Sequence, residues 1–414
     1  MQKIATLLLR AVVVAVCCFA TWMSVRHARA DLAGAPGTQE AFERGLRIER
    51  GNMEQIVSAA LLKSYKGDPS PAVDEQLLHA AQVNPMSSEV LLALAQRAEL
   101  RGDNALAERY YLQATEVDHS FRPASAYANF CVRTGQPDKF WPMAKRCLNL
   151  DPLLFDPGPI FDLAWHLTDD EAKIRTILPG TGRPLIAYLG YLMRTNRADI
   201  AAAVWPEVLK AADLSDPANR ALISGYCDYM ARAGRMTAAV EGWNQLVSRG
   251  IVSGGVLDPS KGVSISDSDF RFVSAKGLFN WQVSGDDGVF VTGSASGLRL
   301  ELDGNEPENF VALSTTAPIL PGKSYRLTWA YDSSQLSAPQ DPGFQIRIVQ
   351  EPGKQTTICQ PFLGRGETGA CTFSAAADVG QASVGLRYAR ASGTTRPRGM
   401  LLLSHFGLEF ARAN

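Results

Sequence analysis

Residues 88 to 119 read SEVLLALAQRAELRGDNALAERYYLQATEVDH, and this stretch decides the fold of the first half of the chain. Leu91, Leu94, Ala95 and Ala98 fall on one helical face; after Gly102 a second stripe runs through Ala107, Tyr111 and Ala114. Apolar residues at three- and four-residue steps predict amphipathic helices, and a glycine between them predicts a tight turn. Small residues at 95, 107 and 114 let the paired helices approach closely, and larger ones fill the space between them. The unit then recurs. Pro85, His119 and Pro152 each close a helical segment at steps of 34 and 33 residues, and Gly102 and Gly135 lie 33 apart.

A helix-turn-helix recurring at this period resembles the tetratricopeptide repeat family. A looser copy follows in Tyr127, Ala128, Cys131, Gly135, Ala144, Cys147 and Pro152, with Phe140 where a small residue is usual. Helix pairs continue through 155–178, 183–212 and 217–249, and residues 39–83 form a divergent leading portion. One such pair cannot bury its apolar face alone, so stacked pairs build a superhelix with a concave groove. The resemblance implies that this groove takes a peptide or protein partner; a passive spacer is the plainer alternative. Trp141, Trp165, Trp205 and Trp243, at helical spacing, are expected in the inter-repeat core rather than in the groove.

The first thirty residues differ from the rest. Ile4 to Val25 is apolar apart from Arg10, which is close to the ~20 residues needed to cross a bilayer as a helix. An uncleaved signal anchor is expected, because Arg26, His27 and Arg29 follow the apolar run directly. The alternative is a cleaved signal peptide with its site at Ala28-Arg29-Ala30. Either puts the remainder outside the cytoplasm: anchored in the inner membrane and facing the periplasm, or periplasmic or secreted after cleavage. In an oxidising compartment Cys359 and Cys371, which enclose a Gly-rich loop, are expected to pair. Cys17 and Cys18 lie in the apolar segment, and Cys131, Cys147 and Cys227 are expected as buried thiols.

After Gly250 the composition changes. Residues 251–266 read as a Gly/Ser/Asp-rich linker, and 267–414 carry short alternating runs between turn residues. Strands are expected at Phe270–Val273, Phe279–Val283, Gly288–Thr292, Leu298–Leu302, Phe310–Thr315, Ser324–Tyr331, Phe344–Val349, Cys371–Ala375, Ala382–Ala389 and Met400–Phe410. Turns are expected at Asp303-Gly304, Pro321-Gly322 and Pro352-Gly353. This is the pattern of an antiparallel sandwich. The run Gly277-Leu278-Phe279-Asn280-Trp281, then LRLELDG at 298–304, then Leu320-Pro321-Gly322-Lys323-Ser324-Tyr325-Arg326-Leu327 resembles the jelly-roll carbohydrate-binding modules of bacterial extracellular proteins. That resemblance marks packing more than a sugar site. Sugar recognition needs exposed aromatic faces beside polar groups, and Trp281, Trp329 and Tyr331 are the candidate ligand-binding residues, with core positions as the competing reading. Acidic loops at Asp286-Asp287 and Asp303–Glu308 match no calcium-loop pattern and read as solvated turns.

The fold class is therefore two-domain, with an N-terminal apolar helix (1–30), an all-α repeat superhelix (38–250) and an all-β jelly roll. A net charge of -1 and the lack of a basic run argue against nucleic acid. No phosphate-cradling glycine loop, His-Glu-x-x-His or Gly-x-Ser-x-Gly occurs, and the chain reads as a non-enzyme without metal or cofactor. The expected role is an envelope scaffold, its repeats docking a protein and its sandwich contacting polysaccharide, by association near exopolysaccharide production or export. A lectin-like module on a helical stalk and an assembly protein whose sandwich binds protein are the alternatives.

Overall fold

The computed structural model describes residues 2–150, 155–180, 182–273, 275–337, 343–351, 355–359 and 367–411. Pro152, Pro352-Gly353 and most of the loop between Cys359 and Cys371 lie outside them. Fourteen α-helices precede ten strands among the described residues. The chain divides into two compact units, Met1–Tyr188 and Leu189–Asn414. That division falls inside α11 (Gly182–Arg194), whereas the composition change at Gly250 marks where helix gives way to strand.

In the first unit α1 (Gln2–Gly34) and α2 (Gln39–Ile48) lead into the pairs α3 (Met53–Tyr65) and α4 (Pro71–Val83), α5 (Ser88–Leu100) and α6 (Asn104–Val117), and α7 (Phe121–Arg133) and α8 (Pro137–Leu148). Helices α9 (Gly158–Leu167) and α10 (Glu171–Arg175) follow. The stripes read from the sequence are the core: Leu91, Leu94, Ala95, Ala98, Ala107, Tyr111 and Ala114 are all buried. Phe140 is buried as well, edge-on to Trp141 at 5.1 Å between ring centres. Ser87 and Asp103 cap α5 and α6 through Val90 N–H and Leu106 N–H. Gly102 ends α5 in the left-handed region at φ +79, so that Asp103 N–H reaches Ala98 O at 3.0 Å. The same closure recurs at Gly135 and Gly234, and Asn196 makes it at φ 57.

Ion pairs tie successive repeats together. Arg133 holds Glu99 through Nε and a second guanidinium N–H at 2.7 and 2.8 Å, and Tyr111 OH donates to the same carboxylate at 3.0 Å. One step on, Glu108 accepts from Tyr127 OH and from Lys139. Buried Arg97 pairs with Asp74 and donates to Asp68 O at 2.6 Å and Ser70 O at 3.0 Å. Burial pushes the Asp74 and Glu99 carboxyls up, but their arginines outweigh it and hold both below the usual carboxylate range. Lys139 does the same for Glu108.

The second unit begins with helices α12 (Ala198–Ala211), α13 (Pro217–Arg232) and α14 (Met236–Ser248), whose Trp205 and Trp243 are buried, as Trp165 is in the first unit. Trp205 stacks on Tyr226 at 3.9 Å, and Trp243 donates to Gly255 O at 3.0 Å. The tryptophans thus pack in the core, apart from half-buried Trp141, over which Lys173 sits at 4.8 Å.

Beyond them lies a β-sandwich of two five-stranded antiparallel sheets, ordered β1-β4-β9-β6-β7 and β2-β3-β10-β5-β8. The strands are β1 (Gln282–Val283), β2 (Val289–Ser294), β3 (Gly297–Leu302), β4 (Asn309–Pro318), β5 (Ser324–Leu336), β6 (Phe344–Glu351), β7 (Gln355–Ile358), β8 (Glu367–Ser374), β9 (Gln381–Ala389) and β10 (Gly399–Phe410). Tyr325 OH accepts from Leu320 N–H at 2.7 Å across the Pro321-Gly322 turn, so the Leu320-Pro321-Gly322 segment packs as the jelly-roll resemblance implied. Two strand expectations are corrected. Phe270–Val273 is a turn, because the Asp267 carboxylate accepts from Arg271 N–H at 2.7 Å and Phe272 N–H at 2.8 Å. The strand expected from Phe279 is paired only over Gln282–Val283. A disulfide joins Cys359, just past β7, to Cys371 on β8, with Cα atoms 5.9 Å apart, linking the edge strands of the two sheets.

Candidate functional site

Four helices of the first unit, α3, α5, α7 and α9, line a groove enclosing about 290 Å³. They are the first helices of successive pairs, and their lining positions recur at the repeat period. Leu92, Ser125 and Pro159 stand at steps of 33 and 34 residues, as do Gln96, Asn129 and Leu163. Each turn of the array therefore presents the same face of the same helix to the groove. Leu92 and Ile160 form an apolar floor, and Phe121, stacked on Phe155 at 3.8 Å, closes one side. Arg122 is held across the mouth by Glu89 Oε1 at 2.6 Å and donates to Tyr65 OH at 2.8 Å. Gln96 and Asn129 are exposed, and neither side chain has a partner among the described residues. Their amides are free to pair with the backbone of an extended chain.

The residues singled out in the sandwich sit differently. Trp281 is 2% exposed, Trp329 6% and Tyr331 7%, so none offers an aromatic face to solvent. Trp281 packs against Phe270 and Phe406 at 5.0 and 5.3 Å and donates its indole N–H to Asp267 O at 2.7 Å. Trp329 and Tyr331 share the inward face of β5 with Tyr325 and Leu327, and Trp329 lies over Gly369 of β8, where a side chain would collide with the indole. This corrects their assignment as a stacking platform: aromatic residues on the inward parity of a central strand fill the core. The acidic loop is a self-capped turn, with Glu306 accepting from Gly304 N–H at 3.0 Å and Asp303 from Asn305 N–H at 2.8 Å. No cluster of three metal-ligating side chains is present among the described residues. Burial pushes the Cys147 and Cys227 thiols up to about 12, which removes both as nucleophiles at neutral pH.

No family model matches the chain, and no curated protein matches it. Solved structures do align with it. YrrB, described as a TPR protein with an unusual peptide-binding site, aligns over 51% of this chain and 93% of its own at 11% identity and a TM-score of 0.26. Pseudomonas aeruginosa PilF aligns over 48% and 91% at 13% identity and 0.27. On the sheet side, the carbohydrate binding module CBM6cm-2 from Cellvibrio mixtus lichenase 5A, in complex with cellotriose, aligns over 32% and 92% at 11% identity and 0.20. These scores are low, and the fold rests on the pairing and topology above: a tetratricopeptide-like array, then a jelly-roll sandwich.

Groove residues Gln96, Arg122 and Asn129 were not singled out from the sequence. The signal that finds Gln96 and Asn129 is a side-chain amide at the same position of two successive repeats, which Leu163 replaces in the third. On the sandwich the most exposed aromatic among the described residues is Phe290, 55% exposed on edge strand β2 and in register with Glu301 of β3.

Proposed function

We propose that the chain is a non-enzymatic scaffold, tethered by α1 with its repeats and sandwich on the extracytoplasmic side. The groove docks an extended segment of a protein partner, and the sandwich contacts an envelope polysaccharide in the production or export of exopolysaccharide. One observation carries this reading: the groove repeats the same lining positions at the repeat period, with Gln96 and Asn129 unpaired above an apolar floor. A peptide in extended conformation has amides at regular spacing, and such a ladder meets them. The polysaccharide contact is assigned to Phe290, whose exposed ring stands beside Glu301 and near Arg299 on β3.

The test is a displayed peptide library panned against the full chain in detergent, with Gln96→Ala/Asn129→Ala beside it. Enriched peptides should lose about tenfold or more in affinity for the variant, as expected for two lost hydrogen bonds, at unchanged Tm. Peptides that bind both alike would remove the groove from the account. In parallel, affinity electrophoresis of the full chain in polysaccharide gels should show retardation that Phe290→Ala removes.

A further inference from the structure

Helix α1 runs unbroken for 33 residues, and its two halves have different surroundings. Val12 to Val25 stands exposed, with no part of the apolar stretch buried. From Arg26 the same helix enters the repeat array. Arg26 Nε donates to Ile48 O at 2.9 Å, His27 Nδ1 lies 2.8 Å from Glu49 Oε2, and Asn52 donates to Asp31 at 2.9 Å. Ala30 is buried, and a side chain at Gly45 would lie 2.9 Å from its carbonyl oxygen. Helix α2 therefore runs antiparallel to α1, and its C-terminal end returns to the level of Arg26.

Arg26 is the first residue after the apolar run, so the corner from Arg47 to Glu54 is fixed about one helical turn, ~5 Å, from the edge of the hydrocarbon. The headgroup layer is about 5–7 Å deep on each side of a bilayer. The charges at this corner are lopsided. Arg29, Arg44, Arg47 and Arg50 are exposed and have no side-chain partner among the described residues. Asp31 and Glu49 are engaged by His27 and Asn52, and Glu43 of α2 accepts from Gln39, which leaves Glu40 and Glu54 as the exposed acids without a side-chain partner among the described residues. Trp22, with Arg26 over its ring at 5.5 Å, marks the same level on α1.

We propose that this corner is a docking surface for anionic phospholipid headgroups, which holds the first repeat against the bilayer that α1 crosses. The inference rests on the reading of α1 as an uncleaved anchor. It makes residues 26–34 both the end of the membrane helix and the first helix of the array. Cleavage after Ala30 would leave the Ile48 carbonyl and Glu49 without their α1 partners. Each arginine near an anionic surface adds attraction that salt screens.

The experiment is amide hydrogen exchange on the full chain in lipid nanodiscs of phosphatidylcholine alone or with roughly 30% phosphatidylglycerol, a composition chosen to give the surface negative potential. Peptides from 44–53 should exchange about threefold or more slowly in the anionic discs. The difference should vanish at about 0.5 M salt and in Arg47→Gln/Arg50→Gln. Peptides from 26–34 should stay equally protected throughout, which shows the variant's corner to be folded. Equal exchange of 44–53 in both lipids overturns the headgroup surface and leaves the anchor intact. A mature chain that begins at Asp31 and does not enter the discs overturns the anchor reading itself.

Discussion

In the helical array Glu99 takes both Arg133 and Tyr111, and Glu108 takes Tyr127 and Lys139, so partly buried carboxylates lock neighbouring repeats. In the sandwich the interior is instead filled by Trp281, Phe406, Trp329, Tyr325 and Tyr388, and the sheets are joined at one edge by a disulfide. The array holds itself by charge pairs laid across a periodic apolar seam and leaves polar side chains free in its groove. The sandwich turns most of its large aromatic residues inward and leaves Phe290 exposed on an edge strand. Aromatic residues fill the interior of both halves; what differs is the carboxylates, which lock neighbouring repeats in the array and cap the turn at Asp303-Gly304 in the sandwich.

The largest effect that would break this contrast concerns Trp281. If it is core, Trp281→Ala costs the sandwich about 3–5 kcal/mol, read as loss of the sandwich transition in chemical denaturation. An unchanged midpoint would return Trp281 to the surface and revive the stacking platform. Next comes Cys359→Ser. Opening a disulfide around a loop of this size should cost about 2–4 kcal/mol, visible as a lower denaturation midpoint that matches the reduced wild-type chain. The array, whose cysteines are unpaired, should not respond to reductant.

A smaller effect separates the halves by pH. Asp74, Glu99 and Glu108 are held below the usual carboxylate range, so their stabilisation is complete above about pH 5 and is lost as pH falls through the folded values, below about 4. Burial raises Tyr325 and Tyr388, and their contribution is complete below about pH 10 and is lost as pH rises further. Calorimetry should show the array transition falling by several degrees at acid pH and the sandwich transition, in which Asp332 is held low by Ser334, falling less. A parallel fall of both would show that the inter-repeat carboxylates do not dominate the array's acid response.

Much of the fold was legible because periodicity is a physical constraint. The stripe from Leu91 to Ala114 had to be one face of two helices, and Leu298–Leu302 and Phe344–Val349 alternate as half-buried strands must. The turn at Asn196 was not read, because asparagine substitutes there for the glycine that marks Gly102 and Gly135. Strand β7 was missed because Gln355–Ile358 is a short, exposed edge strand without apolar alternation. The candidate site was less legible. Alternation put Trp329 and Tyr331 on one face without saying which face was inside. The groove residues are ordinary polar side chains whose meaning comes only from their recurrence in space.

Trp243 and Asn244 of α14 have a practical consequence. The indole meets Phe279 edge-on at 5.5 Å and lies against Gly254 and Gly277, while Asn244 exchanges two hydrogen bonds with Leu257 at 2.8 Å. The end of the helices is thus the lid of the sandwich's first turn. A gene fusion that transplants residues 251–414 onto another protein would carry Phe279 away uncovered, with the Leu257 amide and carbonyl left open. A fusion that keeps the sandwich covered has to begin upstream of α14, so that Trp243 and Asn244 travel with it.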